Sequence, residues 1–455
     1  MHESSTMQVP SMVAECDSFP ALIAAEPSQV IADTVWHSLL WLVMANAIGV
    51  LIATLLLVPG LNGMLNEWTY GRWVMVHMNL ELYGWSSLPL VAFLFHVYGA
   101  PRGGAAVWCR SALWAWSTAL GVGAISWLNG ISSGKLFLDW SGYARFLFPL
   151  SLVALWLVLA YALWLDRNST PEPALSSRVI RGVKVFGLIL LAAVPGLIFI
   201  ACSPNLYPPI NPDTGGPTGA SQLESSLVIV AVLLLLPFGL TERKNGHHRR
   251  LSVAWSILAA ETILCLLLGR ADVSHHRPMQ FLSLASLLVW VPLTPVYYSA
   301  FAWNSNTRAW RLAFLSWWTV LLVSGWYLFL PGVLDHFKFT NGLVGHSLLA
   351  MAGFASSLLI FVLVQLLGED GWIFNGTRSF CAWQGGVLLY VLLMTFAGWR
   401  EGHDPGFTIV SSTLRSVIYS LRLFSGLLLL IASVSWLRDA SRLIHRSAAV
   451  QDVAA

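Results

Sequence analysis

The stretch "TNGLVGHSLLAMAGFASSLLIFVLVQLL", Thr340 to Leu367, carries one histidine near its start and no Asp, Glu, Lys or Arg. It is long enough to cross a hydrocarbon core of about 30 Å. An imidazole placed in hydrocarbon is costly and is there by default for a functional reason. This segment therefore sets two questions: whether the rest of the chain is built the same way, and what His346 binds.

Composition answers the first. Of 455 residues, 56% are hydrophobic and only 10% charged, with a mean hydropathy of +0.68. A soluble chain of this size needs far more charge to cover its surface. Apolar runs long enough to span recur throughout, so the fold class is all-α, a polytopic helical membrane protein. Twelve spans are predicted, near 32–59, 71–98, 107–127, 144–166, 179–202, 220–240, 251–270, 279–303, 309–331, 341–367, 380–399 and 415–437. Residues 1–31 contain no Lys or Arg and no cleavable signal pattern, and are expected to form a polar tail. The transmembrane domain covers 32–437, and 438–455 is a basic C-terminal tail.

The connections are short and polar. The longest, "SPNLYPPINPDTGGPTG" (Ser203–Gly219), is too rich in Pro and Gly for regular helix. No internal repeat of fixed short period is visible. The 23 Trp and 22 Phe suit aromatic belts at the two interfaces, with the lining of a flat cofactor as the alternative. Five scattered Cys (Cys16, Cys109, Cys202, Cys265, Cys381) show no metal-site spacing and read as small hydrophobes.

Positive charge sets the expected orientation. Of 25 Lys and Arg, 16 fall in the loops after the even-numbered spans or in the C-terminal tail, among them Arg243, Lys244, Arg249, Arg250 and Arg438. The opposite side holds Arg72, Lys135, Arg145, Arg270, Arg277, Lys338, Arg400 and Arg415, while Arg422 lies inside the last span. The bias places both termini in the cytoplasm of a cell inner membrane.

That topology puts four histidines in one stratum. His77 and His346 each lie about six residues into a span entering from the outer side, roughly 9 Å below its start. His275 and His276 occupy the outer loop after the seventh span. Imidazole is the usual nitrogen ligand of haem iron and copper. A lone intramembrane histidine can equally be a hydrogen-bonding residue between helices, and a loop His pair a solvated one.

The flanking residues bear a resemblance. "GRWVMVHMNLELYG" (Gly71–Gly84), "RRLS" opening the seventh span, "SHHRP" after it, "LLVWVPLTPVYYSAF" in the eighth, "TNGLVGHSLLAMAGF" in the tenth and "CAWQGGVLLYVLLMTFAG" in the eleventh resemble, in order, subunit I of the haem–copper oxidases. The cbb3-type cytochrome c oxidases and nitric oxide reductases are nearest. The resemblance spans about 70–100 and 250–440 and implies a twelve-helix bundle of that type. It also implies one or two b-type haems, with His77 an axial ligand of a low-spin haem and His346 the proximal ligand of a high-spin haem. Copper would be held by His275 and His276. The implied partners are membrane or c-type cytochrome subunits of a respiratory complex, together with the lipid bilayer; nothing calls for nucleic acid.

Three positions depart from the family pattern. The second histidine of the His-x-His pair is replaced by Leu348, which cannot ligate iron. No His lies between His96 and His247, so the sixth span offers no third copper ligand, and no Tyr lies between Tyr207 and Tyr297. Glu224, Glu81 and Glu261 are intramembrane carboxylates that could replace a ligand or line a proton path. Three functions stay open on the sequence. The first is a respiratory subunit reducing oxygen or nitric oxide. The second is a haem-bearing electron carrier or assembly subunit, with one haem between His77 and His346. The third is a cofactor-free transporter.

Overall fold

The computed structural model describes residues 29–454 apart from 102, 136, 170–174, 209–221, 269–277 and 411. All twelve predicted segments are helical. They are α1 (Gln29–Leu57), α2 (Tyr70–Tyr98), α3 (Ala106–Leu128), α4 (Ala144–Ser169), α5 (Leu175–Ala201) and α6 (Gln222–Leu240). Next come α7 (His248–Leu268) and α8, made of Pro278–Ala285, a 3₁₀ turn at Ser286–Val289 and Trp290–Tyr298. The rest are α9 (Arg308–Leu328), α10 (Asn341–Leu348, Leu349–Ala355 and Ser356–Leu367), α11 (Thr377–His403) and α12 (Ser412–Ala454). Among the described residues there is no strand, only an isolated bridge between Arg243 and Phe301.

Ten of these helices are long and apolar enough to cross a membrane, which makes the chain a multi-pass helical membrane protein. The other two, α3 and α9, run 23 and 21 residues but are less apolar. Each carries four Trp (108, 114, 116 and 127; 310, 317, 318 and 326) and at least one Arg near its start.

Three boundaries differ from expectation. Helix α1 starts at Gln29, three residues into the predicted tail, and the rest of that tail lies outside the described residues. Helix α8 stops at Tyr298, because Ala300 and Ala302 turn to pair with Lys244 and Glu242. Helix α12 continues through the C-terminal tail to Ala454, where no Gly or Pro interrupts it.

Consecutive helices pack side by side from α1 to α5 and from α6 to α12, and α12 closes back along α1. At the centre α2, α6 and α10 touch one another pairwise, the second, sixth and tenth helices of the chain. Helix α10 is the most buried and α5 the least, so the segment with the lone histidine lies in the middle of the bundle.

The seat of α10 is tight. Thr340 Oγ1 accepts from Gly342 N at 3.1 Å, and Glu401 of α11 accepts from Asn341 N and Nδ2 at 2.7 and 2.6 Å. A carboxylate there also complements the positive end of the helix dipole. Below it, a Cβ on Gly398 would strike the backbone of Gly342, and one on Gly345 would lie 3.0 Å from Met394 Cβ. Small residues let the two backbones approach, the usual basis of helix association in lipid. Gly398→Ala should therefore destabilise the bundle by about 1–3 kcal/mol through overpacking. Gly385→Ala in the same helix, where a Cβ meets nothing within 4 Å, should be neutral or slightly stabilising. Thermal unfolding of the two variants in detergent tests this; equal stability would reject the close approach.

Candidate functional site

His77 and His346 occupy corresponding places in two similar three-helix units, α1–α2–α3 and α9–α10–α11. Each histidine is followed three residues later by seven residues of π-helix, Leu80–Ser86 and Leu349–Ala355. A π-turn leaves backbone groups out of the regular α ladder, and in lipid these need partners. The same two partners serve in each unit. Ser87 Oγ donates to Leu82 O and Ser356 Oγ to Met351 O, both at 2.9 Å. The next carbonyl along accepts an indole from the following helix: Trp116 Nε1 donates to Tyr83 O at 2.9 Å, and Trp383 Nε1 to Ala352 O at 3.1 Å.

The correspondence extends to the preceding helix. Gly84 and Gly353, each seven residues after its histidine, lie against Trp41 and Trp317. Those indoles in turn donate across to Ser117 Oγ at 3.1 Å and Gln384 Oε1 at 2.6 Å. Eight residues beyond Trp41 is Gly49, where a Cβ would lie 3.0 Å from His77 Cε1. Eight beyond Trp317 is Gly325, where it would lie 3.8 Å from His346 Cε1. Each imidazole thus lies against a glycine of the helix before it.

Both rings are held through Nδ1. His77 Nδ1 donates to Ala45 O at 2.8 Å. His346 Nδ1 lies 3.4 Å from Ser324 Oγ, which itself donates to Leu321 O at 3.3 Å. Leu321 stands four residues after Trp317, as Ala45 does after Trp41, so the hydroxyl relays what the other unit does directly. A carbonyl partner assigns the proton to Nδ1 and leaves Nε2 as the electron-pair donor, the arrangement of a metal-bound histidine. His77, Glu81 and Tyr390 are enclosed by protein, and His346 largely so, yet all four keep accessible surface.

Helices α2 and α10 pack through their C-terminal halves, Leu88–Tyr98 against Ser356–Leu367. Trp85 Nε1 donates to Ser356 Oγ at 2.8 Å and ties the two π-turns together. The histidines lie N-terminal to this contact, each against its own neighbouring helix rather than against the other. The other expected residues fall elsewhere. His275 and His276 lie outside the described residues, and Leu348 is packed against the main apolar core. Glu261 of α7 is buried and accepts from Trp290 Nε1 at 2.6 Å, while Glu224 lies exposed on the first turn of α6. Among the described residues no three His, Cys, Asp or Glu side chains converge as a metal set. Many of the Trp are not interface belts: Trp85, Trp290, Trp310, Trp318 and Trp383 are buried and donate to other helices, and buried Trp127 donates to the loop carbonyl of Asp139.

Compared with known proteins, the chain matches no family model and no curated sequence.

Trp116→Phe and Trp383→Phe each leave a buried π-turn carbonyl unpaired. Each should cost about 1–2 kcal/mol, within the range for hydrogen bonds between membrane helices. Because the two contacts lie in separate units, their effects should add in the double variant. Denaturation in mixed micelles measures all three; a harmless Trp383→Phe would remove the role assigned to the indole.

Proposed function

We propose that the chain is a haem-binding membrane subunit of respiratory electron transfer, resembling subunit I of the cbb3-type cytochrome c oxidases and nitric oxide reductases. The observation that carries this is the paired arrangement at His77 and His346. Each ring has Nδ1 engaged, no Nε2 partner among the described residues, a glycine against its edge and some accessible surface. These features fit a planar macrocycle with an axial nitrogen. Each imidazole leans on its own preceding helix, and that favours two separate haem sites over one haem shared between the two histidines.

A b-type haem at these sites supplies one-electron redox chemistry. The protein's part is to fix ring orientation and basicity through Ala45 O and Ser324 Oγ, and to keep the site apolar. Leu348 gives no second ligand to the His77 site. Copper, which the resemblance puts on His275 and His276, would find only two imidazoles there, since α6 contains none. Such a site is labile. The twelve-span oxidase-type bundle belongs to the same reading, with α3 and α9 as spans whose apolar character lies in Trp. So does an inner-membrane location with both termini cytoplasmic, which rests on the Lys and Arg bias. Membrane or c-type cytochrome subunits are the proposed partners.

A pyridine haemochrome count and a copper assay on the purified chain test the proposal. The expected result is two haems, with His77→Ala and His346→Ala each removing about one and the double variant colourless. Loss of all haem absorbance in either single variant would favour one shared haem. A colourless wild-type protein would reject the haem reading and leave a transporter.

A further inference from the structure

We infer that His336 and His403 form a binding site for a single Zn2+ or Cu2+ ion, separate from the sites at His77 and His346. His336 lies in a short helix, Val333–Phe337, within the connection that leads into α10, and His403 is the last residue of α11. On the proposed topology both stand at the outer face. The two rings are 4.2 Å apart, centroid to centroid, and inclined at 75°. His403 is exposed and His336 partly so, which leaves the pair open to an ion from solvent.

One backbone carbonyl orients both rings. His336 Nε2 and His403 Nδ1 each donate to Trp399 O at 3.0 Å. A carbonyl oxygen can only accept, so each imidazole must place its N–H there. A neutral imidazole has one N–H, and the lone pair is therefore left on His336 Nδ1 and on His403 Nε2. Neither nitrogen has a hydrogen-bond partner among the described residues. This is the arrangement of a metal-ligating histidine, whose other ring nitrogen donates to a carbonyl or carboxylate. Here a single carbonyl plays that part for two rings at once.

The surroundings hold the pair in place. A Cβ on Gly402 would lie 2.6 Å from His336 Nε2, so the absence of a side chain there lets the ring reach Trp399 O. The indole of Trp399 packs on both imidazoles, with centroids 4.7 and 4.6 Å away. Of the acids on this end of α11, Glu401 is committed to Asn341, and Asp404 Oδ1 accepts from Gly406 N at 3.0 Å. No third His, Cys, Asp or Glu joins the pair among the described residues, so water completes the coordination. Imidazole nitrogen suits Zn2+ and Cu2+, whereas Mg2+ and Ca2+ take oxygen ligands. With each nitrogen about 2.0–2.1 Å from the ion, the metal ties the entry of α10 to the end of α11.

The test uses the full-length chain in detergent, free of any histidine tag and carrying His275→Ala and His276→Ala, so that the other expected histidine pair is silent. Zn2+ binding is measured by calorimetry and Cu2+ binding by electron paramagnetic resonance. This chain should bind one more ion of either metal than the same chain with His336→Gln and His403→Gln added, and its Cu2+ spectrum should show two nitrogen ligands. Either substitution alone should weaken the site roughly 10-fold or more, the scale on which even the outer partners of a metal site act. Equal stoichiometry and affinity with and without the two substitutions would overturn the inference. A second measurement needs no substitution: in the unsubstituted chain, Zn2+ should protect His336 and His403 from diethylpyrocarbonate, read by mass spectrometry. Equal modification of both with and without Zn2+ would reject the site.

Discussion

The structure depends on an indole N–H meeting a carbonyl that a π-turn has released. In hydrocarbon no water can satisfy a freed backbone group, so a π-turn is tolerated only where another helix brings a donor. Here Trp116 and Trp383 bring it, with Ser87 and Ser356 serving the adjacent carbonyls. These contacts have one acceptable position along the helix, so they set register and rotation together. Trp41 and Trp317 fix the other side by lying against Gly84 and Gly353. Once both neighbours are locked, the histidine one and a half turns earlier has no freedom in where it points. The imidazole geometry is thus a consequence of backbone satisfaction several residues away.

The two units share what holds the ring and differ in what surrounds it. Glycine, π-turn, serine and indole recur, while four polar or aromatic residues of the first unit do not. Glu81 corresponds to Ala350, Asn79 to Leu348, Tyr83 to Ala352 and Trp85 to Phe354. Asn79 is fully buried and donates to Met75 O at 2.9 Å, leaving its Oδ1 without a partner. Leu348, at the same offset, is simply core. The shared residues fix the backbone and the ring, and the differing ones give each unit its own polarity.

Much of this was legible in the sequence, for a physical reason: a membrane helix is marked by length and apolarity alone, and all twelve predicted segments are helices. The Trp-rich α3 and α9 were legible too, although their indoles make them less apolar by hydropathy than their neighbours. His77 and His346 stood out because an imidazole in hydrocarbon is rare. The pairing of the two units was not legible, since it is carried by a few residues on three helices whose connecting loops differ in length, and no fixed period results. The signal was nonetheless present in short form: His, then Gly seven and Ser ten residues on, with Trp eight residues before a Gly in the preceding helix. The belt reading of the Trp failed for the buried ones, because composition cannot separate an indole that meets headgroups from one that meets a carbonyl.

The asymmetry also separates the two histidines electrostatically. At His346 the surroundings are apolar: Ala350, Leu348 and Phe354 supply no charge. Near His77 stand two ionisable groups, the guanidinium of Arg422 and the carboxyl of Glu81. The residues that hold the two rings are common to both units, so this difference in charge comes from side chains outside the shared frame.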